Sequence, residues 1–246
     1  MLVAAAVCPS PPLLVPDVAT GAAPELDAAR AACADAVGLL AAARPDRLYV
    51  VGPADEGAHG GYPAGATGSF AGFGVDLSVR LGAESPQDQA QARTQGEDDR
   101  PLPLSLTVGA WLLARAGWAD APIEGLGVAA STAADVCAGT GRELAASAER
   151  VALLVLGDGS ACRTVKAPGY LDERAAGFDA EAARALGTAD VTALLALDAG
   201  LAAELKAAGR ASWQVLAGAA EGAGLDGRLL FEDAPYGVGY FVAAWS

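Results

Sequence analysis

The stretch Met1-Leu-Val-Ala-Ala-Ala-Val7-Cys8-Pro9-Ser10-Pro11-Pro12 decides how the rest of the chain is read. Its apolar run, Leu2 to Val7, reads as a fully buried strand. Proline cannot donate to a sheet ladder, so Pro9, Pro11 and Pro12 end that strand and stiffen the exit from it. In an open α/β sheet, ligands bind outside the carboxyl ends of the strands. Cys8 and Ser10 are therefore the first polar groups delivered to a strand-end cleft.

Working outward, Pro24 to Arg44 carries a helical apolar pattern: Leu26, Ala29, Cys33, Val37 and Leu40 share a face, and Pro45 stops it. Arg47 to Val51 is a second strand that closes a βαβ unit with the first. It runs into the glycine-rich loop Gly52 to Gly61, which lies at the same sheet end as Ser10 if the two strands are parallel. Val75 to Leu81 alternates as a half-exposed strand. Residues 83–100 are polar and aperiodic and read as a surface loop or lid. Leu104 to Ala116 is a helix with Trp111 and Leu112 inward, and Ile123 to Ala129 is a strand. Ala133 to Ala148 is a helix expected to break or strain near Gly139 and Gly141. Val151 to Leu156 is a buried strand leading into Gly157-Asp158-Gly159-Ser160. Helical segments follow at about 179–186, 191–197, 199–208 and 213–221, with Ser212 as N-cap of the last. Two closing strands, Arg228 to Glu232 and Val238 to Ala244, meet through a short turn.

The 246 residues are 53% hydrophobic and 19% charged, enough for one large α/β domain without internal repeats. A net charge of −14 argues against nucleic acid or an anionic membrane as partner and reads as a solvated surface. No apolar stretch reaches the roughly 18 residues of a spanning helix. The first residues lack a basic region, so a secretory signal is not expected. Four cysteines without CxxC spacing are expected to be reduced, in a cytoplasmic protein. An Ala-rich helix face would suit a homodimer.

The chemistry-bearing candidates sit in loops. His59 is the sole histidine and follows Asp55 and Glu56; that trio would hold a divalent cation weakly, or serve a base. Asp158 and Ser160 in the Gly157–Ser160 turn read either as a ligand anchor or as a turn with local side-chain bonds. Cys8 would be a nucleophile only beside a base. Arg210 would bind a carboxylate or phosphate if it points into the cleft. No GxSxG elbow, Walker sequence or GxGxxG fingerprint follows a strand.

Taken together, these loops resemble the class III extradiol ring-cleavage dioxygenases, in the branch formed by their catalytic chains, with the related Memo-like proteins. Cys8-Pro9-Ser10-Pro11-Pro12 stands where the family has His-x-Pro or His-Pro-Pro. Val50-Val51-Gly52-Pro53 with His59 matches the second motif, and Gly157 to Ala161 matches a later Ser-x-x-Leu-Ser-His motif. Gly209-Arg210 matches the late Cys-Gly-Arg-His, and Val238-Gly239-Tyr240 the closing Gly-Tyr strand. The resemblance implies an α/β fold, a central mixed, mostly parallel sheet flanked by helices. It also implies a site where two histidines and a carboxylate hold non-haem Fe(II) while another histidine moves protons. Here those histidine positions are Ser10, Ala161 and Ala211, and a two-histidine site cannot be built within one chain from one histidine. The expectation is a dioxygenase-like protein without the iron cofactor that binds a small molecule or partner in the strand-end cleft. The alternative is an enzyme of altered chemistry, dioxygenase-related or hydrolytic, that uses His59 with Asp55, Glu56, Asp158, Ser160 or Cys8, with Fe(II) or another divalent metal if carboxylates support His59.

Overall fold

The computed structural model describes residues 1–82 and 100–246. The expected lid at 83–100 falls, except for Arg100, outside the described residues.

Seven strands form one sheet: β1 (Leu2–Cys8), β2 (Arg47–Ala54), β3 (Gly60–Tyr62), β6 (Ile123–Ala129), β7 (Val151–Leu156), β8 (Gly227–Asp233) and β9 (Tyr240–Trp245). Their order is β3-β6-β2-β7-β1-β9-β8. The central run β6, β2, β7 and β1 is parallel, while β3, β9 and β8 pair antiparallel at the flanks. The expected mixed, mostly parallel sheet is thus present. One detail differs: β1 and β2 are parallel but not adjacent, because β7 lies between them. All six residues of β7 are buried, as befits the innermost strand. The stretch 75–81 yields only a three-residue strand, β5 (Ser78–Arg80), paired with β4 (Thr67–Ser69) in a small separate ribbon.

Alternation along the strands sends successive side chains to opposite faces and so builds two cores. Ala4, Ala6, Cys8, Leu48, Val50, Leu154 and Leu156 face one side, under α1 (Asp27–Ala42) and α2 (Leu104–Arg115). Ala5, Val7, Tyr49, Val51, Leu153 and Val155 face the other. The helices there are α3 (Ala134–Ala146), α4 (Ala175–Gly187), α5 (Val191–Leu195), α6 (Ala199–Glu204) and α7 (Arg210–Ala220). With few aromatics, alanine and glycine carry the packing, and backbones come close.

That closeness explains α3, which runs unbroken where a break is expected from its glycines. A Cβ on Gly141 would lie 2.0 Å from Val215 O, and one on Gly218 would lie 2.2 Å from Ala138 O. The two glycines let α3 and α7 pack backbone against backbone, a tertiary gain that outweighs the roughly 1 kcal/mol propensity loss of a helical glycine. The start of α7 also differs from expectation. Its N-cap is Gly209, and Ser212 lies within the first turn, fully buried, with a hydroxyl that has no partner. Gly157 permits this earlier start: a Cβ there would meet Gly209 Cα at 2.4 Å.

Among the described residues, no helix is long and apolar enough to cross a membrane.

Candidate functional site

The carboxyl ends of β1 and β7 lie side by side in register, Cys8 opposite Leu156. The ladder continues one step further, Gly157 N–H donating to Cys8 O at 3.1 Å. The next residues out are Ser10 and Asp158. In Pro9-Ser10-Pro11-Pro12 only Ser10 has a backbone N–H, and it donates to Asp158 Oδ1 at 2.8 Å. Ser10 therefore acts through its amide, not through the hydroxyl to which the sequence draws attention.

Asp158 keeps partial exposure at the sheet edge while protein surrounds its carboxyl. Burial pushes its pKa up to about 7, against the opposing pull of the Ser10 N–H. Tyr240, at the start of β9, feels the same carboxyl. Burial first, then the charges of Asp158 and Tyr236, raise the Tyr240 phenol above its ordinary value. The backbone of Asp158 is also fixed, since Gly209 N–H donates to its carbonyl at 2.8 Å. The side chain thus stands on a rigid turn between β1, β9 and the start of α7.

Ser160 plays a different part. It is fully buried, and both its N–H (2.7 Å) and its hydroxyl (2.8 Å) donate to the carboxylate of Asp179 on α4. Arg163 Nη1 donates to the same carboxylate at 3.0 Å. Around this group Gly159 N–H donates to Gly239 O at 2.7 Å, and Gly239 N–H donates to Ser160 O at 2.9 Å. A Cβ on either glycine would come within 2.7 Å of the Asp179 oxygens. Ser160 is therefore locked beneath the strand-end turn and holds the loop's shape. Sequence reasoning misses Asp179, although its signal is there: Ala175, Phe178, Asp179, Ala182, Ala183 and Leu186 form one apolar stripe with a carboxylate in it.

Cys8 also points away from the Asp158 carboxyl. As an even-numbered residue of β1 it faces α1, fully buried beside Cys33. Its hydrogen bond with Cys33, then burial, raise the thiol well above its ordinary pKa. A thiol so placed is a poor nucleophile.

His59 stands on the other flank. The chain leaves β2, makes a single turn at Glu56–Ala58 and passes over β6 to reach β3. The exposed His59 ring accepts a hydrogen bond at Nδ1 from the Ala129 N–H at 3.3 Å, at the end of β6. With β2 between β6 and β7, the strand ends that carry His59 and Asp158 are about 10 Å apart. Asp55 and Glu56 are exposed; Glu56 accepts from the Ser131 hydroxyl, and Asp55 makes no capping bond. Among the described residues, no three His, Cys, Asp or Glu side chains converge as a metal site would need.

Arg210 is almost wholly buried at the start of α7. Nη1 donates to Thr132 O at 2.8 Å and to Gln214 Oε1 at 2.7 Å, and Nη2 donates to Ala130 O. It fastens α7 to the loop after β6 rather than reaching Asp158. The candidates thus fall into three groups: Ser10, Asp158 and Tyr240 at the centre; Asp55, Glu56 and His59 at the β6 flank; and Arg210 behind that flank.

No family model and no curated protein matches the chain. Among solved structures, it is similar to the crystal structure of the uncharacterized protein JW3007 from Escherichia coli K12. The TM-score is 0.60 at 17% identity, over 99% of each chain. At that identity the likeness is one of fold, and it extends over nearly the whole length of both proteins.

Proposed function

We propose that this chain is an extradiol-dioxygenase-like protein without the iron chemistry of that family, binding a small molecule or partner through the strand-end cleft around Asp158. One observation carries the reading: the sole histidine, His59, spends its Nδ1 on the Ala129 amide, and the other histidine positions of the motifs are Ser10, Ala161 and Ala211. Fe(II) in such proteins needs two imidazoles and a carboxylate with open positions. With Nδ1 accepting from the Ala129 N–H, the ring proton of His59 sits on Nε2, which then offers no lone pair to a metal; Ser10 turns its amide to Asp158, and Ala161 has no donor atom. The residues present do not fit the metal. Four free, buried cysteines support a reducing, cytoplasmic setting.

The test is anaerobic loading of the purified, untagged protein with Fe(II), followed by oxygen uptake with catechol or protocatechuate. The reading expects no uptake above free iron. Turnover that follows protein concentration would overturn it.

A second reading rests on the placement of the Asp158 carboxyl at the adjoining ends of β1 and β7, where burial pushes its pKa up to about 7. A carboxyl poised there can give or take a proton near neutral pH, with the Tyr240 phenol beside it. On that reading the chain is an enzyme of altered chemistry. It requires a pH–rate profile with a limb near 7 that Asp158→Asn removes.

A further inference from the structure

Behind the β6 flank, α6, the segment Lys206–Arg210 and Ala130 line an open pocket of about 300 Å³. Its wall is alanine, with Ala130, Ala203 and Ala207 among the lining residues. Two cations interrupt it, Arg210 at the base and Lys206 at the rim. An apolar chamber with one buried cation has a defined chemical complement.

Arg210 is 2% exposed, yet none of its partners is a carboxylate: they are the carbonyls of Ala130 and Thr132 and the amide oxygen of Gln214. A buried guanidinium held only by neutral oxygens keeps an uncompensated charge, which is costly in a low-dielectric site. A guanidinium has five N–H donors. Three are used, which leaves Nε–H and one Nη2–H without a protein partner, on a side chain that lines the pocket. Lys206 adds a second positive charge: it is exposed, and its Nζ is held only by a long 3.5 Å contact to Pro168 O. It also sits in the left-handed region at φ 55°, a conformation that favours glycine over lysine.

We infer that this pocket binds a small carboxylate with an apolar body, its oxygens on the free donors of Arg210, its body against the alanines, and Lys206 closing over the rim. A carboxylate fits better than a phosphate: two oxygens match the two remaining donors, whereas the further oxygens of a phosphate would face alanine methyls unpaired. The pocket lies beside the Asp158 turn, since its lining residues Ala208 and Arg210 flank Gly209, whose N–H donates to Asp158 O, and the assignment does not depend on whether the strand ends have lost iron chemistry.

The test is calorimetric titration of the full chain with benzoate, its neutral isostere benzamide, and inorganic phosphate. Benzoate is expected to bind at least about tenfold more tightly than benzamide, as a charge-assisted pair on a buried guanidinium requires. Ala203→Phe, which adds bulk to the pocket from its exposed rim, is expected to abolish benzoate binding with the thermal transition retained. Lys206→Gln is expected to weaken binding by about two- to fivefold. Benzoate without measurable binding, benzamide binding equally well, phosphate binding more tightly than benzoate, or unchanged binding in Ala203→Phe would each overturn the assignment.

Discussion

The backbone N–H of Ser10 donates to Oδ1 of Asp158 at 2.8 Å and ties the ends of β1 and β7 together above the centre of the sheet. Three prolines strip the neighbouring positions of amides, so this is the only backbone hydrogen bond that Pro9–Pro12 can donate. The same carboxyl sits where burial holds its pKa near 7.

Stability should follow that carboxyl. Its pKa is raised on folding, so between about pH 4 and 7 the folded state binds more protons than the unfolded state. Stability is then fully present below the unfolded value and declines as pH rises toward 7. Asp158→Asn keeps an acceptor for the Ser10 amide and removes the titration. Urea unfolding across pH 4–8 should show the wild type losing about 1–3 kcal/mol relative to the variant over that range. Parallel curves for the two proteins would contradict the placement of Asp158.

Asp179 should be a structural keystone. It accepts from Ser160 N–H, Ser160 Oγ and Arg163 Nη1 in a fully buried position. Asp179→Asn turns an amide N–H₂ toward groups that are themselves donors. A loss of about 2–4 kcal/mol is expected in denaturant unfolding. Ser160→Ala should cost less, about 1 kcal/mol, because the Ser160 amide and Arg163 still pair with the carboxylate.

The α3–α7 contact separates two glycines on one helix. Gly141→Ala places a methyl against Val215 O and should destabilise by about 3 kcal/mol. At Gly139 a Cβ meets only the far end of Arg142, at 3.8 Å. Gly139→Ala should therefore stabilise by up to about 1 kcal/mol through helix propensity. Thermal melts of the two variants should move in opposite directions.

All four cysteines are free and buried. Native protein should react with a thiol reagent at pH 8 only as fast as it opens, and denatured protein should titrate four thiols at once. Rapid modification of Cys8 in the native state would show that it faces the cleft rather than Cys33.

What is legible in the sequence depends on periodicity. The six-residue apolar run at Val151–Leu156 and the prolines after Cys8 are local signals, and they locate the sheet and its carboxyl edge. The position of β7 between β1 and β2 is not legible, because a buried strand carries no mark of its neighbours. Asp158 is legible as a strand-end polar residue. Ser160 is not legible as a structural group, because its hydroxyl partner, Asp179, lies on a helix nineteen residues away. Cys8 reads as a cleft group from its place at the strand end, although strict alternation along β1 already puts it on the α1 face with Ala4 and Ala6. Ser212 reads as a cap because Ser before an apolar run usually is one. The Gly157–Gly209 contact that starts α7 earlier is a tertiary fact with no local signature.

On the proposed function, Ser10, His59, Ala161 and Ala211 hold no iron. The most direct measurement is the metal content of untagged protein after Fe(II) reconstitution and desalting, compared between the wild type and His59→Ala. The expected result is iron far below one per chain and the same in both proteins. One iron per chain in the wild type, lost in His59→Ala, would contradict the claim.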